Sequence, residues 1–486
     1  VFVVKGTVGA RVGTAEYARI ANERAHRLQD AGVFSAVEAD IPVRAFAPEP
    51  EAVGAFGVFE GNHGDNHRPG SEDPAWVLRS LHVREAWALP PPLGGAAKGR
   101  AIRVGHPDSG YSAHADLGLA ALDLGTDRDL ITNDDDAADP LVHPKKSRWP
   151  LPNPGHGTST ASVIVGRGAR VLGIAPEAIL VPLRATESVV QFFDSDVARA
   201  IDHARRNDCH VISMSLGGKG FFGLKKAIQK AVDSGMIVMA AAGNQVRLVT
   251  SPASYDNCLG VAAVGPEDHR WEGSSRGRSV DVASPGECVH VAAFDWGAEP
   301  PGEKVERSHG TSYAVAHLAG VAALWLGFHG RQALIDRYGP PKIQALFLHL
   351  LGTAGTRRPA GWDDDWGIGV ADAEMLLRAP LPDPADVPDR VSAFAAAPGT
   401  AGRVSALLPE LSPPDVEERL AALLKAEGDE LEARLARYEG ELVYLLLDDA
   451  EFRERFIAGP RAGAFATSAA VPEAATGELS AVMRAP

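Results

Sequence analysis

The chain is poor in cysteine and has no long apolar runs. Three cysteines, an odd number, occur among its 486 residues, at Cys209, Cys258 and Cys288. A chain of this length buries a core that does not need disulfides, and no Cys-x-x-Cys pair is present to bind zinc. We therefore interpret the cysteines as structural thiols. No run approaches the ~18 consecutive apolar residues of a membrane span, so no membrane span is expected.

Positive charge is also scarce. The sequence contains 63 acidic and 48 basic residues, a formal net charge of -15 at pH 7, and no block of Lys and Arg. Nucleic acids and anionic membrane surfaces attract basic proteins. We therefore expect neither nucleic acid nor membrane as a partner. Hydrophobic residues make up 45% of the chain, which is typical of a globular protein.

Short strand-like runs alternate with helical runs over residues 75–378. This alternation predicts an α/β domain in which helices cover both faces of a mostly parallel, doubly wound sheet. In such sheets, sites form at the carboxyl ends of strands, and Asp108, Ser215 and Asn244 all follow strand-like runs. The candidate strands are 102–104, 179–181, 211–215, 237–241 and 261–264.

The flanking segments differ from this domain in composition. The N-terminal unit is predicted to be a small β-α-β (α+β) unit, with a helix between Thr14 and Gly32 and strands at 1–4 and 33–37. Ser412, followed by two prolines, predicts the start of a helical hairpin. The predicted segments are the N-terminal unit (1–46), a linker (47–74), the α/β domain (75–378), a Pro/Ala-rich linker (379–410), a helical extension (411–460) and a tail expected to be disordered (461–486).

Three short motifs contain residue types that act together in nucleophilic catalysis. Ser312, in Gly-Thr-Ser, precedes an apolar helical run, so its hydroxyl is expected at a helix N-terminus. A serine hydroxyl needs a histidine base and an orienting carboxylate to become a nucleophile. His156, in Gly-His-Gly-Thr, and Asp108, in Asp-Ser-Gly, supply these groups. Each alone has a structural interpretation, as a helix cap, a packed histidine or a turn residue.

Together, and in the order Asp, His, Ser, these motifs resemble those of the subtilisin-like serine proteases (subtilases). The resemblance extends over residues 75–375 and implies a serine endopeptidase that acts on polypeptide substrates. It implies that Asp108, His156 and Ser312 form the catalytic triad and that Asn244 and the Ser312 backbone N–H form the oxyanion hole. It further implies a substrate-binding edge and primary pocket at Ser215, Leu216, Gly217, Gly218, Ala242 and Gly243.

The N-terminal unit resembles the end of a subtilase propeptide over residues 32–40. This resemblance implies that the chain's own N-terminal segment is a partner that blocks the cleft until a cut is made between residues 40 and 75. A permanent accessory subdomain is the alternative. We expect a secreted, extracellular protein, with a cytoplasmic location as the alternative, since the sequence from Val1 does not show whether a signal peptide precedes it.

An acidic run between Asp127 and Asp139 contains oxygen ligands of the kind that calcium binds. Subtilases often bind calcium in loops, so structural calcium is a possible cofactor, with Asp134, Asp136 and Asp139 as candidate ligands. A solvated acidic loop is the alternative, because no EF-hand spacing is present. The chemistry itself needs no cofactor.

The sequence departs from the family pattern near the site. Tyr313 and Ala316 occupy positions where the family commonly has Met and Pro, and Ser159 stands where a second histidine is usual. His106 precedes Pro107 in place of an apolar pair, and either forms a hydrogen bond near Asp108 or fills space. Two further functions therefore stay open: a catalytically silent peptide-binding module with this fold, and a dedicated intracellular processing protease.

Overall fold

The described residues form two compact units. The computed structural model describes residues 15–31, 39, 70–147, 152–188, 195–218, 222–244, 249–389, 401, 404–405, 408, 410–448 and 450–459. The sheet unit comprises Val1, Pro48–Gly218 and Leu224–Ala397, and the helical unit comprises Phe2–Ala47, Lys219–Gly223 and Pro398–Pro486.

A nine-stranded sheet, among the described residues, is the centre of the sheet unit. The strands in chain order are β1 Arg103–Asp108, β2 Arg128–Asp129, β3 Ile179–Arg184, β4 Val211–Met214, β5 Ile237–Ala241, β6 Leu259–Val264, β7 Val282–Pro285, β8 Val289–Asp295, β9 Gly302–Ser308, β10 Thr356–Arg357 and β11 Val370–Ala371. In space the order is β10-β11-β7-β6-β5-β4-β1-β3-β2, with β8 and β9 paired separately. Within the large sheet, only the β10–β11 pair is antiparallel.

The chain winds outward from β1 in two directions. β1 pairs with β3 along its whole length, from Arg103 opposite Ile179 to Asp108 opposite Arg184, and with β4 on its other side. The strand order therefore reverses at the β1–β4 boundary, where open α/β sheets form ligand crevices at the carboxyl ends of their strands. Asp108 ends β1 and Ser215 follows β4, so both lie at this boundary.

The described helices are, in chain order, α1 Ala15–Asp30, α2 Trp76–Ser80, α3 Val83–Ala88, α4 His156–Val165, α5 Ser195–Arg206, α6 Phe222–Asp233, α7 Thr311–His329, α8 Arg331–Tyr338, α9 Ile343–Thr353, α10 Ala373–Arg378, α11 Pro413–Leu424, α12 Gly428–Asp448 and α13 Ala450–Ala458. Helices α1 and α11–α13 belong to the helical unit.

Helix α7 is the core helix of the sheet unit. Every residue from Thr311 to Phe328 is buried, and the helix packs against α4 and against β4 to β7. A Cβ atom added at Gly320 would lie 2.5 Å from Ile174 Cβ. Only glycine therefore allows α7 to lie this close to the segment that carries Ile174. By length and composition α7 is the one described helix that could cross a membrane, but its burial inside the protein is typical of a core helix.

The structure confirms the predicted α/β class and the mostly parallel sheet. The predicted strand at 237–241 coincides with β5, whereas β1 extends beyond the predicted 102–104 to Asp108. Gly105 and Pro107 have low strand propensity, but the ladder with β3 runs along all of β1 and holds these residues extended, and β4 pairs with Gly105 on the other side.

The helical unit contains helices from both ends of the chain. The predicted helix between Thr14 and Gly32 is present as α1, whereas the predicted strands at 1–4 and 33–37 and the tail after residue 460 lie outside the described residues. At the C-terminal end, Ser412 and Asp415 form a capping box at the start of α11. Three helices, α11 to α13, follow in place of the predicted hairpin. Their side chains share one hydrophobic cluster, which includes Leu420, Leu435 and Leu446.

Two of the buried histidines in the sheet unit, His106 and His317, have lowered pKa values. His106 lies on β1 and His317 on α7, where its Nδ1 atom is 2.8 Å from the carbonyl oxygen of Pro285. Burial lowers the pKa of each imidazole to about 4, because the cation is poorly solvated inside the protein. Between about pH 4 and 6.5, the unfolded chain binds a proton at each histidine and the folded chain does not.

We therefore expect His317 to make the free energy of unfolding rise with pH over this range, by up to about 1.4 kcal/mol per pH unit. Urea unfolding at about pH 5 and pH 7, in a Ser312→Ala background that excludes self-cleavage, measures this slope. His317→Gln is expected to reduce the difference between the two pH values. His349→Gln, which changes a half-buried histidine on α9, is the control and is expected to leave the difference between the two pH values unchanged. An unchanged slope in His317→Gln would contradict the prediction.

Candidate active site

Three separate elements carry the predicted triad. Asp108 is the last residue of β1, His156 is the first residue of α4, and Ser312 is the second residue of α7. All three are buried, with exposed fractions of 0%, 3% and 4%. Gly155 directly precedes α4 with a φ of 84°, and a Cβ atom there would lie 2.6 Å from the ring of Phe294. Glycine is therefore required for the chain to enter α4 at His156.

Asp108 and His156 form a short hydrogen bond, with 2.6 Å between His156 Nδ1 and Asp108 Oδ1. The Ser109 backbone N–H donates to the same oxygen at 2.7 Å. Burial raises the pKa of the Asp108 carboxyl, but His156, His106 and the Ser109 N–H together lower it by more, so the pKa lies below its usual value. An ionised carboxylate only accepts hydrogen bonds, so Nδ1 carries the proton and Nε2 is left as the basic nitrogen.

The second oxygen of Asp108 faces His106 and Thr160. Thr160 Oγ1 lies 3.3 Å from Asp108 Oδ2 and 3.0 Å from His106 Nε2, and His106 Nε2 lies 3.6 Å from Oδ2. The lowered pKa of His106 keeps its ring neutral near neutral pH. Of the two roles left open for His106, the structure therefore supports a polar contact close to Asp108.

Ser312 is joined to the end of β4 by a reciprocal pair of hydrogen bonds. Its hydroxyl donates to the Ser215 carbonyl oxygen at 3.4 Å, and the Ser215 hydroxyl donates to the Ser312 carbonyl oxygen at 3.0 Å. The first turn of a helix also presents N–H groups and a partial positive charge. This arrangement orients the hydroxyl next to groups that stabilise negative charge.

The side chain of Asn244 contacts the start of α7. Its Oδ1 atom accepts from the Thr311 backbone N–H at 2.9 Å and from the Thr311 hydroxyl at 2.8 Å. A backbone N–H can only donate, so this atom is the amide oxygen. The NH2 group lies beside Gly310, where an added Cβ atom would be 3.5 Å from Nδ2. The amide can therefore serve as a hydrogen-bond donor close to Ser312.

The predicted substrate-binding residues lie at the ends of β4 and β5. Gly218 pairs with Ser251 through both its N–H, at 2.8 Å, and its carbonyl, at 3.1 Å. Its backbone is thus engaged within the protein, and its role in substrate binding stays a prediction. A Cβ atom at Gly217 would lie 2.3 Å from Thr250 Oγ1, so the space at this glycine accommodates Thr250.

The remaining predicted substrate-binding residues keep positions close to the site. Ser215 and Leu216 directly follow β4 and are buried. Ala242 follows β5 and pairs with Thr250, whose N–H donates to its carbonyl at 2.9 Å. The N–H of Gly243 donates to the Thr311 hydroxyl at 3.2 Å, which connects this segment to the start of α7.

The three candidate calcium ligands have separate hydrogen-bond partners. Asp134 accepts from the Thr132 hydroxyl at 2.7 Å, and Asp136 accepts from the Ala138 N–H at 3.0 Å. Among the described residues, no group of three or more His, Cys, Asp or Glu side chains is arranged to hold a metal ion. Calcium binding stays a prediction.

Asp139 connects the segment that follows β1 with the segment that precedes α4. Its Oδ2 atom accepts from the Ser109 hydroxyl and from the Gly155 N–H, each at 2.7 Å, and the Gly157 N–H donates to Ser109 Oγ at 3.0 Å. Burial raises the pKa of the Asp139 carboxyl. Sequence reasoning missed this role, as it missed Thr160, because Asp139 lies in a run of similar acids and nothing in the spacing separates it from them.

Asp139→Ala is expected to lower kcat for hydrolysis of a peptide substrate by about tenfold or more, with a smaller effect on KM. The substitution leaves the buried Ser109 hydroxyl and Gly155 N–H without their acceptor. The segment that carries His156 is then held less firmly, so the histidine is less often in position to react. Asp136→Ala, which removes an exposed acid from the same loop, is the matched control. Equal kcat values for the two variants would show that Asp139 does not position the histidine.

Comparison with known proteins identifies the family of the chain. The model of the subtilase family matches residues 99–369. Subtilisin E of Bacillus subtilis (strain 168) is 37% identical over 182 residues, which are 36% of this chain and 46% of subtilisin E. Thermitase of Thermoactinomyces vulgaris is 34% identical over 184 residues, 37% of this chain and 63% of thermitase. The chain thus spans about half the length of the curated relatives that it matches.

A solved structure supports the same assignment. A protease from Pseudoalteromonas arctica PAMC 21717 superposes with a TM-score of 0.53 and 27% sequence identity, covering 63% of this chain and 97% of that chain. The family match covers more than half of the 486 residues. The chain therefore belongs to the subtilase family.

Proposed function

We propose that the chain is a serine endopeptidase that hydrolyses peptide bonds through an acyl-enzyme formed on Ser312. The observation that carries the proposal is the 2.6 Å hydrogen bond between buried Asp108 and His156 Nδ1, which leaves Nε2 as a base. Membership of the subtilase family supports a proteolytic function.

In the proposed reaction, Ser312 Oγ attacks the substrate carbonyl while His156 Nε2 removes the hydroxyl proton. Asp108 stays ionised and stabilises the imidazolium that forms. The Asn244 NH2 group and the Ser312 backbone N–H donate to the negative oxygen of the tetrahedral intermediate. His156 then gives its proton to the leaving amine, and a water molecule, activated by the same histidine, hydrolyses the ester.

We propose an extended polypeptide as the substrate. A protease that accepts varied sequences must bind the backbone, and strand addition at a sheet edge provides such contacts. Ser215 to Gly218, which follow β4, are the residues proposed to form this edge, with Ala242 and Gly243 beside the primary pocket. A secreted location remains our prediction.

The rival function is a silent peptide-binding module with the same fold. It would be favoured by loss of any of the four catalytic groups, yet Asp108, His156, Asn244 and Ser312 are all present and buried. A dedicated intracellular processing protease shares the chemistry proposed here and differs only in location and partner.

Fluorophosphonate labelling tests the proposal. The reagent phosphonylates an activated serine, so we expect modification at Ser312, located by mass spectrometry of the labelled peptide, and none in Ser312→Ala. Ser234→Ala, which removes an exposed serine between α6 and β5, is the control and keeps the label. A folded chain whose N-terminal segment has been removed, and which still fails to react, would support the silent module.

Asn244 is expected to contribute to the rate and not to substrate binding. Asn244→Asp keeps an oxygen that accepts from the Thr311 N–H but loses the NH2 donor. We expect kcat to fall on the order of 10²–10³-fold with little change in KM, which is the magnitude measured when a subtilisin loses its oxyanion-hole asparagine. Unchanged kcat in this variant would exclude Asn244 from the oxyanion hole.

A further inference from the structure

Helix α1 presents a buried face of small residues within the helical unit. Ala18, Asn22 and Ala25 are spaced by four and three residues and lie on one side of the helix, with exposed fractions of 3%, 8% and 6%. Ala18 packs in a cluster that includes Leu445 of α12. Small side chains let two helices approach closely, so this face is suited to contact another helix.

A polar contact accompanies the apolar one. His26, one residue beyond Ala25, places Nε2 3.4 Å from Glu441 Oε2, and the two side chains are only 13% and 8% exposed. The His26 ring also meets the Tyr438 ring edge to face, with 5.3 Å between their centroids. The N-terminal helix is thus held to α12 by contacts of several kinds.

Tyr438, Glu441 and Leu445 of helix α12 are spaced by three and four residues, so they form a stripe along one side of the helix. Leu435 and Leu442 are fully buried in the cluster that α11 to α13 share. Tyr438 also belongs to that cluster, and Leu445 packs against it. Through Tyr438 and Leu445 the stripe therefore contacts both the bundle and α1.

On the other side of the predicted linker, the chain is anchored within the sheet unit. Ser71 is fully buried, and its carbonyl oxygen lies 3.0 Å from His290 Nε2. The Trp76 indole N–H donates to the Cys288 carbonyl at 2.9 Å. The contacts described for α1 and for Ser71 and Trp76 therefore all lie outside a cut between residues 40 and 69.

We infer that the stripe Tyr438–Glu441–Leu445 is a binding surface for α1, and that residues 1–39 stay bound to the C-terminal helices after the linker is cut. The C-terminal extension thus acts as a holder for the N-terminal segment. The inference rests on the proposed function only in that self-processing would supply the natural cut.

The test uses the full chain with Ser312→Ala and a site for a sequence-specific protease inserted at residue 55. After complete cleavage, size-exclusion chromatography at falling protein concentration measures whether the N-terminal fragment elutes with the larger fragment. We expect co-elution at micromolar concentration. Leu445→Glu and Ala18→Glu each place a charge in the contact and are expected to raise the apparent Kd at least about tenfold.

Arg27→Glu is the matched control, since it introduces the same residue at an exposed position of α1 and should leave the Kd unchanged. Helical content of each uncut variant, from circular dichroism, identifies one that fails to fold. Leu445→Glu changes α12 and Ala18→Glu changes α1. If one of these variants fails to fold, the other still tests the contact. Release of the fragment from the parent chain would overturn the inference.

Retention that neither Leu445→Glu nor Ala18→Glu weakens would also overturn it, because the holding contact would then lie elsewhere in the chain. Because the cut is engineered and the Ser312 hydroxyl is removed, these outcomes do not depend on proteolytic activity. If a folded chain without its N-terminal segment fails to react with the fluorophosphonate, the proposed function is overturned and the binding of the N-terminal fragment is unaffected.

Discussion

The buried charge of Asp108 is the constraint on which the site depends. Taking a carboxylate out of water costs several kcal/mol unless hydrogen bonds and an opposite charge compensate for it. Three donor groups contact its two oxygens: His156 Nδ1, the Ser109 N–H and the Thr160 hydroxyl. The same contacts that make the charge tolerable also fix the direction of the histidine. Stability and the geometry proposed for catalysis therefore have a common physical origin at the end of β1.

Close backbone approach extends this arrangement beyond the hydrogen bonds. A Cβ atom at Gly157 would lie 2.1 Å from the Gly110 carbonyl oxygen, and one at Gly110 would lie 2.3 Å from the Ala137 carbonyl oxygen. The segment after β1, the start of α4 and the acidic loop are thus packed in direct backbone contact. Asp139 adds its carboxylate to the same junction. Movement of the acidic loop would consequently displace the start of α4, where His156 lies.

Local patterns in the sequence predict what local physics determines. The strand at 237–241 and the cap at Ser412 follow from an apolar run and a capping residue, and the Asp108–His156 pair follows from its motifs. Contacts between residues distant in sequence are not predictable in this way. Asp139 and Thr160 acquire their contacts from tertiary packing, Gly218 pairs with Ser251, and α1 joins the C-terminal helices although more than 350 residues separate them. None of these pairings leaves a periodic or compositional signal.

The complete burial of α7 has a consequence for when the proposed site exists. A helix with no polar face is not stable alone in water, so α7 depends on the strands and on α4 that pack around it. Ser312 and the backbone N–H of its first turn belong to that helix. The proposed nucleophile therefore has its geometry only while the core is assembled and loses it with the core. Under the proposed function, reactivity at Ser312 would report on an intact core.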